Sequence, residues 1–230
     1  MSASVVDPAH GHADAGALAH HFDDLDQQHE ASRLGMWAFL VTEIMFFGGL
    51  FLVYTVYRGW YPVAFAQASS HLDVPLGAIN TAVLICSSLT MALAIHAAQV
   101  GRRGAQVFHL VATMLLGAAF LVIKGFEYAD KWHHGLMPGP GFTWDGPEAP
   151  HARIFFSIYF VMTGVHAFHM IVGIALLAWL TRRAARGDFT PGHHTWLENM
   201  GLYWHFVDVV WIYLFPLLYL VGAHETGAHG

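Results

Sequence analysis

Acids and imidazoles embedded in apolar sequence are the groups of this chain whose types and spacing could do chemistry. The stretch from Leu197 to Val221 reads LENMGLYWHFVDVVWIYLFPLLYLV and carries Glu198, His205 and Asp208. His205 and Asp208 stand at i and i+3, so in a helix they share one face, with Trp204 and Trp211 along the same general side. A carboxylate is costly in hydrocarbon even on lenient insertion scales, so that face turns toward protein or a wet cavity. Two readings stay open: a His–Asp hydrogen bond that locks helices together, and a direct part in proton handling. Glu43, in WAFLVTEIMFFGGLFLVY, lies too far from Arg33 and Arg58 to snorkel easily to water. It reads as a neutral acid hydrogen-bonded across helices, or as a proton-accepting or lipid-headgroup contact. Its depth also allows pairing with His205 or Asp208.

His166 and His169 lie in FFSIYFVMTGVHAFHMIVG, on one helical face, with Gly164 and Gly173 offering a neighbouring backbone close approach. Together with His205 they raise haem ligation, because imidazoles from different helices can hold haem iron. No second helix repeats the histidine spacing that a two-haem bundle needs, and His96 and His109 sit close to helix ends. Helix-to-helix hydrogen bonding is the stronger reading. Glu127 and Asp130, with His133 and His134 just beyond, read as a solvated helix end. The histidines of the N-terminal stretch (His10, His12, His20, His21, His29) fit no closed metal site. There is no nucleophile elbow, phosphate loop or zinc-protease helix. That pattern favours a subunit supporting chemistry on other chains.

The elements that position these groups follow from composition. The chain is 56% apolar and only 11% charged, against roughly a quarter charged for soluble domains. An all-α polytopic membrane protein is expected, a bundle of five transmembrane helices. Its net charge of −6 lies outside the apolar runs, and no basic patch suits nucleic acid. Cys86 is the single cysteine, which excludes an intrachain disulfide, a thiolate metal cluster and a CxxC redox pair. No cleavable signal pattern is expected ahead of Arg33.

The spans are expected at about Leu34–Tyr57, Pro75–Gln99, Ala105–Ile123 with a polar extension to Trp132, Arg153–Leu180, and Leu197–Val221. Residues 1–32 read as a disordered, His-rich tail, 33–222 as the five-helix domain, and 223–230 as a short tail. Residues 61–73 read as a loop, and HHGLMPGPGFTWDGPEAPH as a long interfacial loop. Arg33, Arg102, Arg103, Arg182, Arg183 and Arg186 fall on one side; Arg58, Lys131 and Arg153 fall on the other, with Lys124 near a helix end. The positive-inside rule then predicts a cytoplasmic N-terminus and a C-terminus outside. A transporter is disfavoured by the lack of broken helices and repeat symmetry.

The segment YWHFVDVVW (Tyr203–Trp211) resembles the signature of the last helix of the cytochrome c oxidase subunit III family. In order along the chain, GMWAFLVTEIMFFGGLF resembles that family's helix with a membrane-embedded Glu, which falls on Glu43. PLGAINTAVLICSS, KGFEY and FFSIYFVMTGVHAFHMIVG resemble the next three. The likeness runs from Leu34 to Leu220.

It implies a non-catalytic subunit of a haem–copper respiratory oxidase in a bacterial inner membrane. Haems and copper would lie on partner chains, with none in this one. It implies packing on subunit I, beside subunit II and small subunits, with support of proton uptake, turnover stability and phospholipid binding. The candidate residues for proton handling or for lipid and helix contact are Glu43, His166, His169, His205, Asp208 and Glu127. Longer members have two extra N-terminal helices forming one arm of a lipid cleft, where this chain has its polar tail. The pair Thr42-Glu43 leans toward the cytochrome c branch. The alternatives are the same subunit in a quinol oxidase or beside a nitric-oxide reductase and, more remotely, a cytochrome b-like haem carrier.

Overall fold

A computed structural model describes residues 25–189 and 195–220. Its helices are α1 (Leu25–Trp60), α2 (Pro62–Ser69), α3 (Val74–Gln99), α4 (Arg103–His133), α5 (Ala149–Arg186) and α6 (Thr195–Tyr219). All but α2 are long and apolar enough to cross a membrane, giving five spans in the expected order.

Three boundaries differ clearly from expectation, the first being α5, which at Ala149–Arg186 begins inside the stretch expected as loop and runs on past Leu180. Helix α1 begins at Leu25, so residues 25–32 are helical where an unstructured tail was expected. Leu, Gln, Glu and Ala in LDQQHEAS are good helix formers, and extending a helix needs no new nucleus. His10, His12, His20 and His21 lie outside the described residues. Residues 61–73 are likewise not all loop, because α2 occupies Pro62–Ser69. Pro62 sits in the first turn, where its missing N–H leaves no bond unmade. Ala64, Phe65, Ala66 and Ala68 are buried there, in a stretch too short to announce its periodicity.

The chain divides into two packing units, one ending at Glu43 and one starting at Ile44. In the first, Leu34, Trp37 and Phe39 of α1 are exposed, as suits a helix solvated by lipid. The second unit is organised by an antiparallel seam between α3 and α6. Along it Trp211 Nε1 donates to Thr81 Oγ1 at 3.0 Å, Trp204 Nε1 donates to Ser87 Oγ at 3.1 Å, and His205 Nδ1 meets Ser88 Oγ at 2.7 Å. Small residues let the two backbones approach: Gly77 lies under Phe215 and Tyr219, and Gly201 lies under Ile95. Helix α4 joins through Thr90 and Thr113, whose hydroxyls are 2.8 Å apart.

Tight turns fix the helix pairs. After α3, Gly101 takes φ 70°, with Arg102 N bonded to Ala97 O and Gly101 N to Ala98 O. After α5, Gly187 takes φ 90°, with Asp188 N bonded to Arg183 O and Gly187 N to Ala184 O. These are Schellman endings, which need a left-handed residue that glycine adopts without strain. At the start of α3, Asp73 Oδ1 accepts from Leu76 N at 2.9 Å, an N-cap.

Trp204 ties the remaining spans to the seam. Its fully buried indole lies against Gly117 of α4 and Gly173 of α5. A Cβ at Gly117 would meet the ring at 2.8 Å, and one at Gly173 at 3.0 Å. Gly164, expected to serve the same way, has only the Tyr128 hydroxyl near, at 3.8 Å. Gly117→Ala is therefore expected to lower stability in detergent by about 1–3 kcal/mol, because the trapped indole cannot retreat. Gly164→Ala should be neutral or slightly stabilising in the same thermal unfolding measurement.

Candidate functional site

The sequence-selected polar residues separate into distinct neighbourhoods. Glu43 lies on α1, half-buried, as the last residue of the first unit. The others lie in the second unit.

His205 and Asp208 do share a face of α6, but they do not pair with each other. His205 is bonded to Ser88, while both carboxylate oxygens of the 3% exposed Asp208 lack a partner at hydrogen-bonding distance. The expected His–Asp lock is thus replaced by a His–Ser bond between α6 and α3. Side chains at i and i+3 of one helix share a stripe yet aim at different neighbours, and here a hydroxyl across the seam meets the imidazole first.

His166 and His169 also diverge. His166 is fully buried, its ring 5.3 Å from Phe120 and 5.2 Å from Trp211 between ring centroids. His169 turns toward Phe47 at 5.3 Å, and its Nδ1 meets Val165 O at 2.8 Å. The three imidazoles thus aim at three different neighbours, His205 at Ser88, His166 at Phe120 and Trp211, and His169 at Phe47. Among the described residues no group of three or more His, Cys, Asp and Glu is arranged to hold a metal ion.

Glu127 corrects the largest misreading. Rather than ending a helix in solvent, it is 3% exposed and paired with the equally buried Lys124 at 3.0 Å. Helix α4 runs on to His133, which places this pair inside the packed region. Lys124 Nζ uses all three donors: on Glu127 Oε2, on Tyr159 Oη at 3.1 Å, and on Tyr219 Oη at 2.5 Å. Glu127 Oε1 accepts from Tyr159 at 2.8 Å and from Tyr219 at 2.5 Å. The ammonium also lies 5.0 Å from the Trp211 ring centroid, a cation–π contact. Burying two charges carries a large desolvation penalty, and only such complete hydrogen bonding offsets it. Asp130 is the residue that matches the solvated expectation, half exposed and paired with Lys131 at 2.6 Å.

Lys124, Tyr159, Tyr219 and Ser88 were the partners that spacing alone did not pick out. The i, i+3 pair Lys124 and Glu127 was the available signal. Beside this cluster, the end of α6 is capped from other helices. Tyr54 Oη donates to Leu217 O at 2.5 Å and Ser69 Oγ to Leu218 O at 2.7 Å, carbonyls that a helix end otherwise leaves unpaired. The lock joins α4, α5 and α6, and the caps add α1 and α2.

Removing one member of the buried pair should destabilise the chain by about 3–5 kcal/mol. Glu127→Leu should be the worse of the two, because it strands the ammonium, whereas Lys124→Met leaves Glu127 both tyrosine donors. Thermal unfolding of the two single variants and the double variant checks this through their non-additivity.

Comparison with known proteins follows this geometry. The cytochrome c oxidase subunit III family profile matches residues 18–223. Cytochrome c oxidase subunit 3 of Corynebacterium diphtheriae is 34% identical over 190 residues, covering 82% of this chain and 87% of that one. The Gadus morhua protein of the same name is 34% identical, over 83% of this chain and 70% of its own. Cytochrome bo(3) ubiquinol oxidase subunit 3 of Pseudomonas aeruginosa is 30% identical over 92% and 95%. With all five membrane-length spans inside the matched range, this chain belongs to the cytochrome c oxidase subunit III family.

Proposed function

We propose that this chain is the redox-inactive subunit III of a bacterial cytochrome c oxidase, with haems and copper held by partner subunits. The observation that carries this reading is the family match from residue 18 to residue 223, which takes in every span. The chain's own imidazoles support it by serving as helix contacts. It packs against subunit I, with subunit II and small subunits nearby, in the bacterial inner membrane. The arginines of the 100–103 and 181–187 connections favour placing that end of the bundle in the cytoplasm. Phospholipid solvates its exposed apolar faces.

Within this assembly Glu43 assists proton delivery to subunit I, as the family's membrane-embedded Glu falls on this position. A second reading, the same subunit in a quinol oxidase, is favoured by the near full-length match to the Pseudomonas ubiquinol oxidase subunit. The two differ in the electron donor, which another subunit would bind. A copper-binding Cys/His site in the accompanying subunit II marks the cytochrome c branch.

Purified from membranes, the chain should bring down a haem-containing subunit, and the polypeptide separated from that complex should have no Soret band. A Soret band on the separated polypeptide would overturn the assignment. Glu43→Gln should slow turnover or shorten the active lifetime of the complex several-fold while leaving assembly intact. Unchanged proton pumping and inactivation kinetics would reduce Glu43 to a packing residue.

A further inference from the structure

On the outward side of the α3–α6 seam, Leu84, Ser88 and Ala92 face His205, Asp208 and Ile212 across a lateral groove of about 380 Å³. Its rim is apolar and open, with Ile85, Leu89 and Val209 exposed. Asp208 lies within it, 3% exposed, with no hydrogen-bond partner at bonding distance for either oxygen. Ser88 is the neighbouring hydroxyl that acts on Asp208, but its short contact, 2.7 Å, is with His205. A buried acceptor left this way is destabilising unless something outside the chain donates to it.

Depth decides what that donor is. Asp208 lies 13 residues after Thr195 and 11 before Tyr219; Ser88 lies 14 after Val74 and 11 before Gln99. At 1.5 Å per residue, both stand roughly 16–21 Å from their helix ends, near the bilayer centre. Lipid headgroups do not reach that depth, and acyl chains carry no donor. A transmembrane helix does reach it and can carry one. Ser88 and Ala92 are small and four residues apart on α3, the spacing that lets another helix approach closely. The groove runs between two antiparallel helices, which suits the side-chain ridge of a third.

We propose that this groove seats a transmembrane helix of a partner polypeptide, whose hydroxyl or amide side chain donates a hydrogen bond to Asp208. A carboxyl group accepts that bond in either protonation state. The inference does not rest on the oxidase assignment, because it concerns helix contact and not haem content.

The test uses the assembled complex in its native membrane, with a photoreactive amino acid replacing Ile212 on the rim. A second probe replacing Phe168, exposed on α5, serves as the lipid-facing control. The expected product is an adduct at position 212 with a single transmembrane peptide bearing a Ser, Thr, Asn or Gln near the crosslink. Asp208→Leu should lower that adduct by roughly an order of magnitude, and Asp208→Asn should retain it. Replacing the partner's donor by Val should reproduce the loss, which separates the contact from any folding defect of Asp208→Leu. Adducts with phospholipid only, or a peptide adduct unaffected by both substitutions, would overturn the proposal.

Discussion

Hydrogen bonds between ring nitrogens (two indoles and one imidazole) and hydroxyls along the α3–α6 seam are the constraint on which the second unit depends. In lipid, apolar side chains gain little by leaving acyl chains for one another, so close packing and polar ties decide which helices pair. The seam supplies both: Trp211 to Thr81, Trp204 to Ser87 and His205 to Ser88, with Gly77 and Gly201 admitting side chains against the backbone. Each tie satisfies a donor that would otherwise sit unpaired in hydrocarbon. A slip in register would strand all of them together, so the pairing is specific as well as favourable.

From that seam the remaining helices are positioned through Trp204 and through the Lys124–Glu127 lock. The indole wedged between Gly117 and Gly173 sets how closely α4 and α5 approach α6. The ion pair with Tyr159 and Tyr219 holds the far ends of the same three helices. Tyr54 and Ser69 then close the last carbonyls of α6 from α1 and α2. The two charges in this lock, Lys124 and Glu127, meet each other and the same two tyrosine hydroxyls, which ties the three helices at one point.

This division bears on how a membrane subunit of an oxidase complex is built. Most intramembrane polar side chains in the second unit serve the chain's own packing. Asp208 and His166 both have buried, unbonded polar atoms, but of the two it is Asp208 that lines the lateral groove. Under the proposed helix contact, stability would be tied to assembly, since the donor to this acid would arrive with the partner.

Class, span number and family were legible because hydrocarbon filters composition harshly. Five long apolar runs and acids spaced along them survive in the sequence whatever the packing, and the ordered motifs around Glu43 and Tyr203–Trp211 are strings of neighbours in the chain. What was not legible was which polar group meets which. Glu127 looked like a solvated helix end because composition reports where apolarity fades, not where neighbouring helices cover it. His205 and Asp208 looked like a pair because helical spacing fixes a shared face but not the direction of each side chain. Ser88, 117 residues away in the chain from its partner His205, carries no local signal of that bond. Periodicity along one helix is a local property, whereas a hydrogen bond between helices depends on register and rotation. Those arise only once α3, α4, α5 and α6 have packed.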